Sequence, residues 1–340
     1  MLENFFKHHR IFFFILLFSF LSCSEKSCFS KVDFSGVNVA PVQIQRFDRD
    51  FFAVDTDNVA SSLAVLREKY GRFVDLYIKQ ILGNPFSNDE EVVRQFLTHP
   101  VYREFYSDCE KEYADVSDLE TGFTAAFKGV KYYFPDIHIP DVYTHVSGFG
   151  DIIVVDDSLI SISLDYYLGA EYKNYEYVDG IHNYMLPNMR REKIVSDAVF
   201  WWLTTEFPDN IDAPRLFDNM IYYGKIMYLT ELVLPDEKEE KLMGYSRQQW
   251  NWCRANESKM WNYMVENRHI FSTEILVTAK YINPAPFTSY FPDESPGRTG
   301  IWIGWQIIRS YMNKNKDVTL HELMSNFNSQ DILEKSGYRP

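Results

Sequence analysis

An α+β fold, mostly helical with a small mixed β-sheet in the middle of the chain, is what this sequence predicts, and three observations carry that expectation. Apolar residues recur at three- and four-residue spacing from Val59 to Tyr77 and again from Ile194 to Trp202, which is the stripe of a helix packed on one face. Between them the period changes. Ile137–Ile139, Asp141–Ser147, Ile152–Val155 and Leu159–Leu164 are short, β-branched and punctuated by Pro140, Gly148, Gly150 and the pair Asp156-Asp157, so they read as adjacent strands. The chain also carries 27 Phe, 23 Tyr and 7 Trp, and packing among aromatic rings will dominate its core.

The elements follow in order. Lys7, His8, His9 and Arg10 precede an apolar run from Ile11 to Leu21 that ends in Ser22-Cys23. The run is about 11 residues, against roughly 20 for a bilayer-spanning helix, so it suits export rather than anchoring. This is the layout of a bacterial lipoprotein signal, with residues 1–22 removed and Cys23 carrying a diacylglycerol and a further acyl chain that tie it to a membrane. Residues 23–35 then form a polar tether, and 36–340 a single α+β domain. Within that domain Val39–Phe51 alternates around Val42, Ile44 and Phe47 as a first strand would. Residues 55–80 form an amphipathic helix interrupted near Gly71, and Ser87 with Glu90 opens another that Pro100 stops. Helices are further expected over 115–134, 190–207 (with Ile194, Ala198, Trp201 and Trp202 on its apolar face), 214–232, 246–267, 300–313 and 319–327.

Composition excludes several functions. The net charge is -14, with 34 basic against 48 acidic residues, which argues against nucleic acid as a partner. The cysteines other than Cys23, namely Cys28, Cys109 and Cys253, have no paired spacing, so neither a disulfide framework nor a thiolate metal cluster is expected. The histidines beyond the signal are isolated along the chain. His321-Glu322-Leu323-Met324-Ser325 starts like a zinc-protease motif and lacks its second histidine; Thr319 with Glu322 reads better as a capping box. No metal and no cofactor are expected. Gly148-Phe149-Gly150 is a turn, not a dinucleotide fingerprint, and Asp156-Asp157 reads as a hairpin turn. The densest signal is Asp293 to Trp305, where Pro296-Gly297-Arg298 forms a sharp charged turn before a helix whose Gly300 and Gly304 admit a neighbouring backbone. Glu294 and Arg298 there either hold a ligand or pair with each other.

Several strings resemble the gliding motility lipoprotein B family, GldB, over almost the whole mature length. They are Gln45-Arg46-Phe47-Asp48, Ser163 to Gly169, Asn219 to Lys225, Pro286-Phe287, Glu294 to Trp305 and Ile308 to Met312. The resemblance implies a cell-envelope lipoprotein, on the periplasmic face or the cell surface. More distantly, the order of small sheet, helix, Ile-Tyr-Tyr-Gly helix and Pro-Gly-Arg turn is similar to predicted zincin-like zinc-dependent peptidases. Their two histidine ligands would fall near Asp197 and Trp201, and their glutamate at Tyr223, so the metal ligands are missing. The resemblance thus implies a zincin-like body with a degenerate cleft, bordered by Asp197, Trp201, Tyr222, Tyr223, Lys225, Glu294, Arg298 and Trp302, that binds an envelope protein, peptide or glycan without catalysis. The alternative is an envelope hydrolase working through carboxylates such as Asp197, Glu206 or Glu294, with Arg298 stabilising a developing anion. A third reading, a structural component of a membrane complex, expects an exposed apolar patch away from the cleft.

Overall fold

The computed structural model describes residues 32–83 and 88–340. The signal, Cys23, Cys28, most of the tether and Ser87 lie outside the described residues. From Asp33 onward the chain packs as one compact unit.

The first half is helical for the reasons its periodicity supplies. α1 (Phe47–Phe52) and α2 (Val59–Tyr70) are followed by α3 (Phe73–Leu76) and a π-turn over Tyr77–Ile81. The break between α2 and α3 falls at Gly71, whose φ of 55° suits a residue without a Cβ. The apolar stripe continues across it, since Val59, Leu63, Leu66, Tyr70, Phe73 and Tyr77 are all buried. α4 (Asp89–Thr98) starts at Asn88, whose side chain accepts from the Glu90 N–H. α5 (Pro100–Glu112) begins directly after it with Pro100 in its first turn. A proline that stops one helix suits the start of the next equally well, and the sequence signal announces only the stop. α6 (Ser117–Tyr133) buries Leu119, Phe123, Ala126, Phe127 and Val130.

The sheet is small, central and mixed, as expected. β1 (Asp141–His145), β2 (Ile153–Asp156) and β3 (Leu159–Ser163) lie in the order β1-β3-β2, with β1 parallel and β2 antiparallel to β3. Every residue of β3 is buried. Asp156 pairs with Leu159, so Asp156-Asp157 does open a hairpin turn, and Arg72 reaches both carboxylates at 2.9 and 3.7 Å.

Two strand expectations need correcting. Ile137–Ile139 is irregular chain leading into β1. In Val39–Phe51 only Gln45 bridges to Tyr143, while the N–H groups of Val42 and Ile44 bond the Thr124 hydroxyl and Glu120 carboxylate of α6, each at 2.9 Å. Side chains of a helix have taken the place of a neighbouring strand, and from Phe47 the chain turns helical.

The second half comprises α7 (Ile194–Glu206), α8 (Leu216–Val233), α9 (Glu239–Met243), α10 (Arg247–Glu266), α11 (Ile275–Ile282), α12 (Thr299–Lys314), α13 (Leu320–Ser325) and α14 (Ser329–Ser336). α13 opens on the Thr319–Glu322 capping box. α9, α11 and α14 are too short for periodicity to reveal. Helices α8 and α12 meet backbone to backbone. A Cβ on Gly304 would overlap the Met220 carbonyl, and one on Gly224 the Gly304 carbonyl. This approach sets the depth of the core, where Trp302 and Trp305 are at most 1 % exposed.

Candidate functional site

α7, α8 and the turn before α12 bring five side chains onto one aromatic face. Arg298 precedes α12 with φ at 60°, the left-handed region that is costly for a residue bearing a side chain. Its guanidinium carbon stands 5.7 Å from the centroid of the Phe200 ring, and one Nη donates to the Met243 carbonyl at 3.4 Å. Phe200 is stacked with Tyr223 of α8 at 6.3 Å and meets Trp201 edge-on at 5.4 Å. Tyr222 lies 4.9 Å from Tyr223 and donates its hydroxyl proton to the Thr204 carbonyl at 3.1 Å. Trp201 is 49 % exposed, which removes it from the core-facing stripe that the sequence assigns it. It belongs instead to this outer face.

The turn itself is pinned without an ion pair. Thr288 donates from both its N–H and its hydroxyl to the Pro296 carbonyl, and the Tyr245 hydroxyl donates to the Gly297 carbonyl at 2.6 Å. Gly297 is packed so tightly on Ala285 that no side chain fits. Glu294 is exposed and is not Arg298's partner. Among the described residues Arg298 pairs with no carboxylate, whereas Arg309 holds Glu231 and Glu239, and Arg46 holds Asp48 and Glu110.

The remaining candidates are placed elsewhere. Asp197, one turn before Trp201 on α7, is occupied by Lys193 at 2.9 Å and by the Tyr167 hydroxyl at 3.2 Å. Lys225 is buried, donates to the Asn326 carbonyl at 2.5 Å, and stands 5.4 Å from the centre of the Phe327 ring. Burial lowers its pKa to about 8, against the opposing field of Asp209. Trp302 packs against Trp250 inside the core and cannot border a cleft. The three carboxylates weighed for hydrolysis do not gather on α7: Glu206 accepts from the Trp202 indole at 3.0 Å and stands about 13 Å along the helix from Asp197.

Two features escaped sequence reasoning. A shallow concavity of about 590 Å³ lies at the start of α8, lined by residues including Ile211, Arg215, Asp218 and Phe327. Burial pushes the Asp218 carboxyl up, but hydrogen bonds from Arg215 prevail and hold it below the usual range. The Arg215-x-x-Asp218 spacing was its only signal. The other feature is an apolar tip where α11 begins, with Phe271 52 %, Ile275 82 % and Leu276 78 % exposed. Among the described residues no group of three or more His, Cys, Asp or Glu converges as a metal site.

Beneath the sheet, by contrast, polar groups are closed on one another. Asp165 is fully buried and accepts from the N–H groups of Ser147, Gly148 and Phe149 at 3.3, 2.7 and 3.0 Å, and from the Ser163 hydroxyl at 2.5 Å. Those contacts hold Gly148 and Phe149 at φ of 70° and 67°. His145 is likewise enclosed, with Ser161 at one ring nitrogen and the Asp151 carbonyl at the other. Its pKa is lowered to about 4 by burial.

A family model described as gliding motility protein GldB matches residues 27–340. The chain belongs to the GldB family. Membership classes it with the gliding-motility lipoproteins, and the aromatic face, the Pro-Gly-Arg turn and the Asp165 loop all fall within the matched GldB region. No curated protein and no solved structure matches the chain. No described helix is long and apolar enough to cross a membrane.

Proposed function

We propose that the protein is a non-enzymatic binding component of the cell envelope, held to a membrane by lipid on Cys23, and that the face formed by Phe200, Trp201, Tyr222, Tyr223 and Arg298 takes an envelope protein, peptide or glycan. The observation that carries this reading is Arg298. A guanidinium laid over an aromatic ring, in a chain with 14 more acids than bases, and without a carboxylate among the described residues, is arranged for a group brought by something else. Half-exposed Trp201 beside it supplies the flat apolar surface that peptides and sugars use. The zincin-like body belongs to the same proposal, supported by the order of sheet, α7, α8 and Pro-Gly-Arg turn. In that frame Asp197 stands where a ligand would be and is neutralised by Lys193.

A second contact is favoured by one observation. Ile275 and Leu276 project almost fully into solvent, which is the exposed apolar patch that an assembly subunit requires.

The test is crosslinking of the lipidated protein in intact cells, with the wild type, Arg298→Ala, Trp201→Ser and Cys23→Ala compared. A partner captured by the wild type and lost in the first two variants, with unfolding curves unchanged, supports the face as the binding site. Capture that survives Arg298→Ala in a folded protein removes it.

A further inference from the structure

We propose that the aromatic cluster at the root of the tether, Phe34 with Tyr132 and Tyr133, is a seat for the interfacial zone of a lipid bilayer, so that the body rests on the membrane in one orientation. This rests on the lipid-anchored reading of Cys23 and adds to it which side of the protein faces lipid.

The cluster stands where the described chain begins. The Phe34 ring centroid is 5.4 Å from Tyr132 and 5.9 Å from Tyr133, and the two tyrosines meet edge-on at 5.0 Å. Tyr132 is 49 % exposed although three rings meet there. Phe34 is held from behind, because its ring and Val233 press so closely on Gly129 that a Cβ there would meet them at 3.1 and 3.0 Å. The result is a fixed aromatic surface rather than a loose chain end.

Its chemistry suits the headgroup level. Tyrosine rings are amphipathic and are favoured where one edge is apolar and the other wet. Lys128 stands one turn before Tyr132 on the same side of α6, and Lys131 adjoins it with its ammonium on the Pro135 carbonyl at 2.7 Å. Both can meet lipid phosphates. The flanking acids are Asp33, turned back onto Ser35, and exposed Asp136. A chain of net charge -14 has few such places to present to an anionic surface.

Chain length selects the occupant. The residues from Cys23 to Phe34 span at most ~40 Å when fully extended, so acyl chains inserted at Cys23 keep this cluster within that distance of the bilayer. The apolar tip at Ile275 and Leu276 is the rival. It belongs to the other end of α8, where the Leu216 N–H donates to the Ser272 carbonyl at 2.8 Å. Val233, which touches the Gly129 side, ends the same helix, and its 18 residues separate the two places by about 27 Å.

The test uses the lipidated full-length protein in vesicles of zwitterionic lipid with a minority of anionic lipid. Spin labels are placed at Tyr132→Cys, Leu276→Cys and Ala64→Cys, each with Cys28→Ser, since Cys109 and Cys253 are buried. The expected result is a several-fold rise, on vesicle binding, in the ratio of oxygen to water-soluble nickel collisions at 132 alone. A label at 132 that stays as aqueous as the one at 64, or immersion at 276 instead, overturns the proposal. Cys23→Ala protein that sediments with the vesicles undiminished would refute the anchor reading separately, because the depth at 132 is still read in that sample.

Discussion

Asp165 and Arg298 are both charged side chains that serve turns with positive φ, Asp165 by accepting from the one at Gly148-Phe149 and Arg298 by standing in its own, yet one is closed and the other open. Asp165 receives three backbone N–H groups and a serine hydroxyl from its own chain. Arg298 has one long bond to a carbonyl and an aromatic ring beneath it. A buried charge that its own fold satisfies is spent on holding that fold, and replacing it costs stability. A half-exposed charge left without an opposite one contributes little to folding and is available to a ligand. The contrast separates a structural network under the sheet from a candidate binding face on α7 and α8, although both fall within strings that resemble the same family.

The comparison is sharpest at Asp165. Asp165→Leu strands the buried Ser147 N–H and the part-buried N–H groups of Gly148 and Phe149, each worth about 1–3 kcal/mol, so urea unfolding is expected to lose about 3 kcal/mol or more. A loss below about 1 kcal/mol would mean that the loop is held some other way.

His145 tests the same region by pH. Its pKa is about 4 in the folded protein and about 6.5 unfolded. Between those values the unfolded chain binds the proton and the folded one does not. The stability is therefore whole above pH 6.5 and lost as pH falls through about 4, by roughly 3 kcal/mol. Denaturation followed over that window should show the slope in wild type and a flatter one in His145→Gln; equal slopes would assign the loss to carboxylates.

Lys225 is an intermediate case, buried with its ammonium donating to the Asn326 carbonyl. With a folded pKa near 8 and an unfolded one near 10.4, its burial penalty is present below pH 8 and relieved as pH rises. Wild type should gain about 2 kcal/mol relative to Lys225→Met between pH 8 and 10, read from chemical unfolding at each pH. A constant difference would show that the ammonium is solvated.

The smallest effect is expected on the open face. Arg298→Ala should change stability by less than about 1 kcal/mol by thermal or urea unfolding. A loss as large as that of Asp165→Leu would reassign Arg298 to the structural network and end the comparison.

Much of the architecture was legible because it is written in local spacing. The α2–α3 stripe with its break at Gly71, the Asp156-Asp157 hairpin, the Thr319–Glu322 cap and the Gly300/Gly304 notch depend on residues within a few positions of each other, and each is found where the pattern puts it. The failures share a cause. Val42 and Ile44 alternate like a strand, but Thr124 and Glu120, some eighty residues away, supply the partners. Trp201 has helical spacing with the core and yet faces out, because α8 meets α7 through Phe200 and Tyr223.

For the candidate site the division is similar. Sequence by itself determined that Arg298 follows a proline-glycine turn and that tyrosines sit at 222 and 223, since turn chemistry and helical period are properties of neighbouring residues. Only the tertiary structure decided that Arg298 lies over Phe200 and lacks a carboxylate, that Lys193 occupies Asp197, and that Trp302 and Lys225 are withdrawn from the face. Whether a charge is closed or open depends on which distant groups the packed helices bring within about 4 Å, and no local spacing encodes that.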